Sequence, residues 1–108
     1  ILEIRETAGN DSHMLVRSPM LGAALAGALG AGTAVLLRGP SSPAVGTPMH
    51  QAVFRAIYLE INARLQSAAL RLGEPIYLSA AEAGSAAASN DRNLDRAWDL
   101  WVREVEGA

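Results

Sequence analysis

The sequence lacks cysteine and lysine altogether and has only two histidines in 108 residues. Without cysteine the chain forms no disulfide, thiolate nucleophile or zinc–thiolate site, and without lysine it forms no Schiff base and carries no phosphate-loop lysine. Aromatic residues are also few, five beside 21 alanines, which favours close packing of small side chains over large aromatic layers. Covalent catalysis by an amine or a thiol of this chain is therefore excluded.

Positive charge is scarce as well, because nine arginines stand against eleven acidic residues for a net charge of −2. A nucleic-acid interface needs clustered positive charge, so we predict no nucleic-acid partner.

No basic segment precedes an apolar run, so we predict no signal peptide and a cytoplasmic location. The length fits one domain, residues 1–108, and Ile1 opens what reads as a strand already in progress, so we expect further sequence upstream.

Residues 18–37 carry no charge, a length that a membrane span would also have. Ser18 and Pro19 form a cap and a first-turn proline, and Gly30 is a typical helix stop. Ala34–Leu37 then reads as a buried strand. We therefore predict a helix, a turn and a core strand here, and no membrane partner.

The longest predicted element is a helix over residues 48–72, opened by Thr47-Pro48 and followed by Gly73. At 1.5 Å per residue it would be roughly 37 Å long. Residues 84–89 are small and featureless and predict a short linker or a frayed helix. A C-terminal helix over residues 90–106 is expected to follow.

One stripe of the C-terminal helix holds both tryptophans. Its members recur at helical spacing: Leu94, Trp98, Trp101 and Val105. Two interpretations stay open, since the stripe can cover the core of the domain or anchor a contact between subunits. On the exposed faces, Glu60–Arg64 and Asp99–Arg103 are spaced for i,i+4 ion pairs.

Few residues are candidates for catalysis or metal binding. His13 and His50 lie far apart in the sequence with no acid pair at ligand spacing, so this chain alone predicts no metal site. His50 reads either as an ordinary surface histidine or as a substrate contact. Ser41 and Ser42 lack the nucleophile-elbow pattern that would support a catalytic triad.

Most of the chain is similar to the C-terminal half of the class II aldolase/adducin family. The resemblance rests on Ala34–Gly39, Val45-Gly46, Ala52–Gln66 and the closing run Arg96–Trp101. The run Tyr-Leu-Glu-Ile-Asn-Ala-Arg-Leu-Gln at 58–66 most resembles the branch that includes aromatic-acid decarboxylases.

The resemblance implies an α/β fold, part of a three-layer α/β/α sandwich whose mixed sheet is flanked by helices. It also implies a lyase that cleaves a carbon–carbon bond, by aldol cleavage or decarboxylation, through an enediolate or carbanion stabilised by a divalent metal, zinc or manganese, on three histidines. In the family motif Arg-Gly-His-Gly-x-x-Val-Val-Gly, Arg38, Gly39, Val45 and Gly46 match. Pro40 occupies the position of the metal-binding histidine, so no metal ligand is expected from this motif.

The first hypothesis is therefore that the chain is part of such a lyase and is not catalytic alone. It would act as a homo-oligomer, a tetramer by family analogy, or with a missing N-terminal half. Arg38, His50 and Tyr58 are the candidate substrate-binding residues, and no catalytic residue is assigned. The alternatives are a degenerate, non-catalytic relative acting in oligomerisation or partner binding, and a small-ligand binding module that has lost the ion.

Overall fold

The computed structural model describes residues 1–10, 13–38 and 41–108. Within these residues five helices follow one another: α1 (Arg5–Ala8), α2 (Pro19–Leu29), α3 (Met49–Leu72), α4 (Ala80–Asp91) and α5 (Leu94–Glu106). The chain divides into two compact units, Ile1–Val45 and Gly46–Ala108. The assignment of residues 1–108 to one domain stays a prediction.

The core of the first unit is small and centres on Ile4, which is fully buried. Leu21 of α2 and the extended-segment residues Val35 and Leu37 complete the buried cluster. The predicted ends of α2 are confirmed: the Ser18 hydroxyl accepts a hydrogen bond from the Leu21 amide at 3.2 Å, and Gly30 follows with φ of 50°. Such a positive φ suits glycine because it has no Cβ.

The predicted α/β/α sandwich with a mixed sheet is wrong, because the described residues form helices and two isolated β-bridges. Leu2 pairs in parallel with Leu37, and Ala34 pairs antiparallel with Ala44. Both pairings fall in segments with strand-like sequence, yet neither extends into a ladder. On one side α1 begins at Arg5, and on the other Pro43 has no amide hydrogen to donate.

The second unit is built from α3, α4 and α5, of which α3 and α5 pack together. The predicted long helix is confirmed by α3, which ends one residue before Gly73. Only the first half of α3 is covered: Val53 and Ile57 are half-buried, whereas Ile61 and Leu65 further along the same stripe are exposed.

The region predicted as a linker, residues 84–89, lies inside α4, so the frayed-helix alternative was nearer to the structure. A capping box starts α4, since the Ser79 hydroxyl accepts from the Glu82 amide and the Glu82 carboxylate accepts from the Ser79 amide. The C-terminal helix begins at Leu94 rather than at residue 90. Asn93 interrupts it, donating from its amide to the Asn90 carbonyl and from its side chain to the Ser89 carbonyl.

Within the part of the chain that the structure describes, no helix combines the length and the apolar character needed to cross a membrane.

Candidate functional site

Arg38, the first predicted substrate contact, is already engaged by an acid in the first unit. Its guanidinium donates to Glu3 Oε2 at 3.2 Å, and Arg5 donates to both oxygens of the same carboxylate at 2.9 and 2.7 Å. The hydrogen bonds from Arg5, with a smaller contribution from Arg38, lower the pKa of Glu3 to about 2. An anion that binds Arg38 would therefore compete with the Glu3 carboxylate.

Pro40, at the predicted histidine position, lies outside the described residues. The last glycine of the same motif, Gly46, is required by the backbone geometry at this position. A Cβ built on Gly46 would lie 2.5 Å from the Ala52 amide nitrogen, so only glycine lets this backbone approach the first turn of α3 so closely.

His50, the second candidate, lies in the first turn of α3 and is half-buried. Its Nε2 is 3.5 Å from Asp95 Oδ1, and its ring centroid is 6.0 Å from that of Trp98. Both partners belong to α5. The arrangement ties the start of α3 to the start of α5 with a pair that becomes ionic when the imidazole is protonated.

Tyr58, the third candidate, lines an open groove of about 490 Å³ in the second unit. Its ring stacks on Phe54, one turn earlier in α3, with centroids 4.4 Å apart and planes at 25°. Phe54 also meets Trp101 of α5 at 6.1 Å. One wall of the groove is therefore aromatic.

The opposite wall comes from α5 and from the turn before it, and it is basic. Arg96, Leu100 and Arg103 follow at i, i+4 and i+7 on one face of α5, and Asn93 precedes them. We call this site, lined by Phe54, Tyr58, Asn90, Asn93, Arg96, Ala97, Leu100 and Arg103, the polar groove. None of its lining residues is acidic.

The arginines of the polar groove are exposed, and neither forms an ion pair with a described residue. The predicted Asp99–Arg103 ion pair is absent among the described contacts, because Arg103 Nε donates instead to the Asp99 backbone carbonyl at 3.1 Å. The predicted Glu60–Arg64 pair does form on the exposed face of α3. The guanidinium of Arg96 is thus available to a ligand.

A second groove on α3 and α5, which we call the apolar groove, contains both tryptophans. It has a volume of about 510 Å³ and is lined by Val53, Ile57, Trp98, Trp101, Val102, Val105 and Glu106. The tryptophans are half-buried against α3, while Val105 is 77% exposed. The stripe is thus buried at its first residue, Leu94, and exposed at its last, Val105.

The structure brings Tyr58 to the polar groove and leaves His50 outside its lining. Arg38 belongs to the first unit. Sequence reasoning missed Phe54, Asn93, Arg96 and Arg103 as site residues. The spacing of Arg96, Leu100 and Arg103 was visible on the flank of the tryptophan stripe, but only the tertiary pairing of α3 with α5 sets an aromatic wall opposite it.

Metal binding by the described residues has no geometric support. Among residues 1–10, 13–38 and 41–108, no three His, Asp or Glu side chains come close enough together to hold an ion. His50 and Asp95 form a pair without a third ligand. The residues present do not fit the divalent ion that the family resemblance implies.

The chain is 32% identical, over 112 aligned residues, to decarboxylase tropJ of Talaromyces stipitatus. The match covers 86% of this chain but 42% of that protein, so the chain spans less than half the length of the curated relative. No protein-family profile matches the chain, and no solved structure matches it. The similarity is consistent with a decarboxylase-like relationship, and membership of the class II aldolase/adducin family stays a prediction.

Proposed function

We propose that this chain is part of a carbon–carbon lyase of the decarboxylase type, and that it does not catalyse the reaction alone. The similarity to a decarboxylase along most of the chain carries the proposal. The polar groove supports it, because a decarboxylase must hold an acid and this groove has two arginines and no acidic lining residue.

The finer assignment, to a class II aldolase/adducin-like lyase in a homo-oligomer in the cytoplasm, belongs to the same proposal. It rests on the sequence motifs around Arg38, Gly46 and residues 58–66. Because the described residues offer no set of metal ligands, no step of the reaction is derived through a metal ion. The role of this chain in the proposal is to supply binding surface.

A chimera tests the proposed function. The present sequence would replace its aligned segment in decarboxylase tropJ, and release of CO₂ from the substrate of that enzyme would be measured. We expect measurable release from the chimera and a further rise with Pro40→His, because a histidine would restore the donor that the motif has at this position. Metal content of both chimeras would be measured in parallel.

Unmodified decarboxylase tropJ is the positive control for CO₂ release, and a version lacking the segment is the negative control. Circular dichroism and thermal melting would establish that each chimera is folded. Folded chimeras that release no CO₂ with either Pro40 or the Pro40→His substitution would contradict the lyase proposal.

The apolar groove favours a second function, in which the chain is a non-catalytic subunit that joins copies of itself. Tryptophans lining an apolar groove are typical anchors of an interface. Val105→Glu puts a charge at the exposed edge of this groove without removing a buried side chain. We expect it to convert oligomers to monomers in light scattering, because burying an unpaired carboxylate is costly.

Leu72→Glu is the matched control, since Leu72 is 92% exposed and lies outside both grooves. Leu72→Glu should leave the mass of the oligomer, as measured by light scattering, unchanged. A chain that is monomeric before any substitution, or oligomers that survive Val105→Glu, would count against this second function.

A further inference from the structure

Two serines of this chain have an arginine three residues before them, and the structure separates the two. The pairs are Arg38 with Ser41 and Arg64 with Ser67, and no other serine or threonine of the sequence has this spacing. An arginine at this distance is a charge pattern by which many protein kinases select their serine. The sequence alone therefore contains two equivalent candidate acceptors for a phosphoryl group.

Ser67 is poorly placed to accept a phosphoryl group, because it lies within α3. Its hydroxyl donates to the Ala63 carbonyl at 2.8 Å, and its backbone belongs to the helix. A serine oxygen must come within about 3.5 Å of the phosphorus to react, so the backbone around it has to enter the cleft of the kinase. At least one turn of α3 would have to unwind before Ser67 could do so.

Ser41 is accessible in the folded chain, because it is exposed and lies outside every helix. Its hydroxyl has no hydrogen-bond partner among the described residues, although its backbone carbonyl accepts from the Leu37 amide at 3.1 Å. The side chain of Arg38 is 69% exposed, and its single bond to Glu3 leaves most of the guanidinium facing solvent. The acceptor and the arginine that marks it are thus both within reach of a kinase.

We propose that Ser41 is a phosphorylation site for a protein kinase of this arginine-selecting class, and that Arg38 holds the phosphate once it is attached. Ser41 Oγ attacks the terminal phosphorus of ATP, ADP leaves as the new oxygen–phosphorus bond forms, and a base of the kinase takes the hydroxyl proton. The proposal goes beyond the lyase function and does not depend on it.

Arg38 is the cation that the attached phosphate meets. The hydrogen bond between the Leu37 amide and the Ser41 carbonyl brings the two ends of this loop together, with Arg38 at one end and Ser41 at the other. The phosphate carries about two negative charges and is tethered beside Arg38, so it competes well with the Glu3 carboxylate. Arg5 keeps Glu3 paired through bonds of 2.9 and 2.7 Å, so little is lost when Arg38 leaves. Phosphorylation would therefore withdraw a candidate substrate-binding arginine.

The test is incubation of the full chain with ATP, magnesium and each of two purified kinases of this class, followed by intact mass measurement and peptide mapping. We expect a single phosphoryl group on Ser41 and none on the Ser41→Ala variant. Arg38→Gln should slow incorporation by about tenfold, because it removes a charged hydrogen bond to the kinase. Ser67→Ala is the matched control and should be phosphorylated at the wild-type rate. Thermal melting would establish that each variant is folded.

Phosphorus NMR tests the role of Arg38 after the transfer. The Arg38→Gln variant would be phosphorylated to completion by longer incubation, and the phosphate on Ser41 would be titrated with pH in both proteins. We expect its titration midpoint to lie about half a unit lower in the wild-type chain, because the guanidinium favours the doubly charged phosphate.

The outcomes separate this inference from the lyase proposal, because phosphorylation requires no turnover by this chain. Absence of incorporation, incorporation at Ser67 instead, or equal rates for the wild-type chain and Ser41→Ala would overturn the assignment of Ser41. Equal titration midpoints in the two phosphorylated proteins would overturn the role of Arg38. An inactive chimera would reject the lyase function and leave the phosphorylation site standing.

Discussion

Replacing Ile4 with alanine is expected to destabilise the first unit by roughly 3 kcal/mol, because it opens a cavity in a core of few buried residues. Ile4 has no exposed surface, and it packs with Leu21, Val35 and Leu37. A loss of this size is a large fraction of the stability of any small folded unit.

Hydrogen exchange measures this loss locally. The Val35 amide donates to the Pro43 carbonyl and the Leu37 amide to the Ser41 carbonyl, so both amides report the opening of the first unit. In Ile4→Ala their exchange should accelerate by about a hundredfold if opening of this unit governs it. Ile1→Ala removes the same atoms from a residue that is 92% exposed and should change exchange little. Equal protection in the two variants would show that Ile4 does not hold the unit together.

Phe54→Ala should cost the second unit about 3 kcal/mol, near the lower end for loss of a large aromatic side chain, because Phe54 is only half-buried. The variant loses the stacking on Tyr58 and the contact with Trp101. Phe54→Leu keeps most of the volume and should cost about 1 kcal/mol, of which the lost aromatic contacts are the main part.

Urea unfolding followed by tryptophan fluorescence suits these variants, since both tryptophans lie on α5. Tyr77→Ala is the control: Tyr77 is 62% exposed and contacts the Gln66 amide group at 3.1 Å, so its removal should change the midpoint little. If Phe54→Ala unfolds at the same urea concentration as Tyr77→Ala, the aromatic contact between α3 and α5 does not stabilise the unit.

The polar groove shows which part of a binding site can be predicted from local sequence. Helical spacing alone places Phe54 with Tyr58 on one face of α3, and Arg96 with Arg103 on one face of α5. Spacing within a helix says nothing about which face of another helix it will meet. For that reason the family resemblance predicts Tyr58 as a substrate-binding residue but does not predict Arg96 as one, although both lie in runs that carry the resemblance. His50 shows the converse, since its pairing with Asp95 bridges 45 positions of sequence.

Most limits of α2, α3 and α4 were determined by the sequence itself: Ser18-Pro19 and Gly30 bound α2, Gly73 follows α3, and Ser79 with Glu82 starts α4, whereas the start of α5 was not. These signals act through hydrogen bonds and backbone angles a few residues away, so the neighbouring sequence is enough to predict them. Whether the strand-like segments pair into a sheet was decided by the tertiary structure. Strand-like residues at Leu2, Ala34 and Leu37 formed single bridges because pairing depends on how far two distant segments can run side by side. The same dependence on distant partners made the polar groove, which exists only where α3 meets α5.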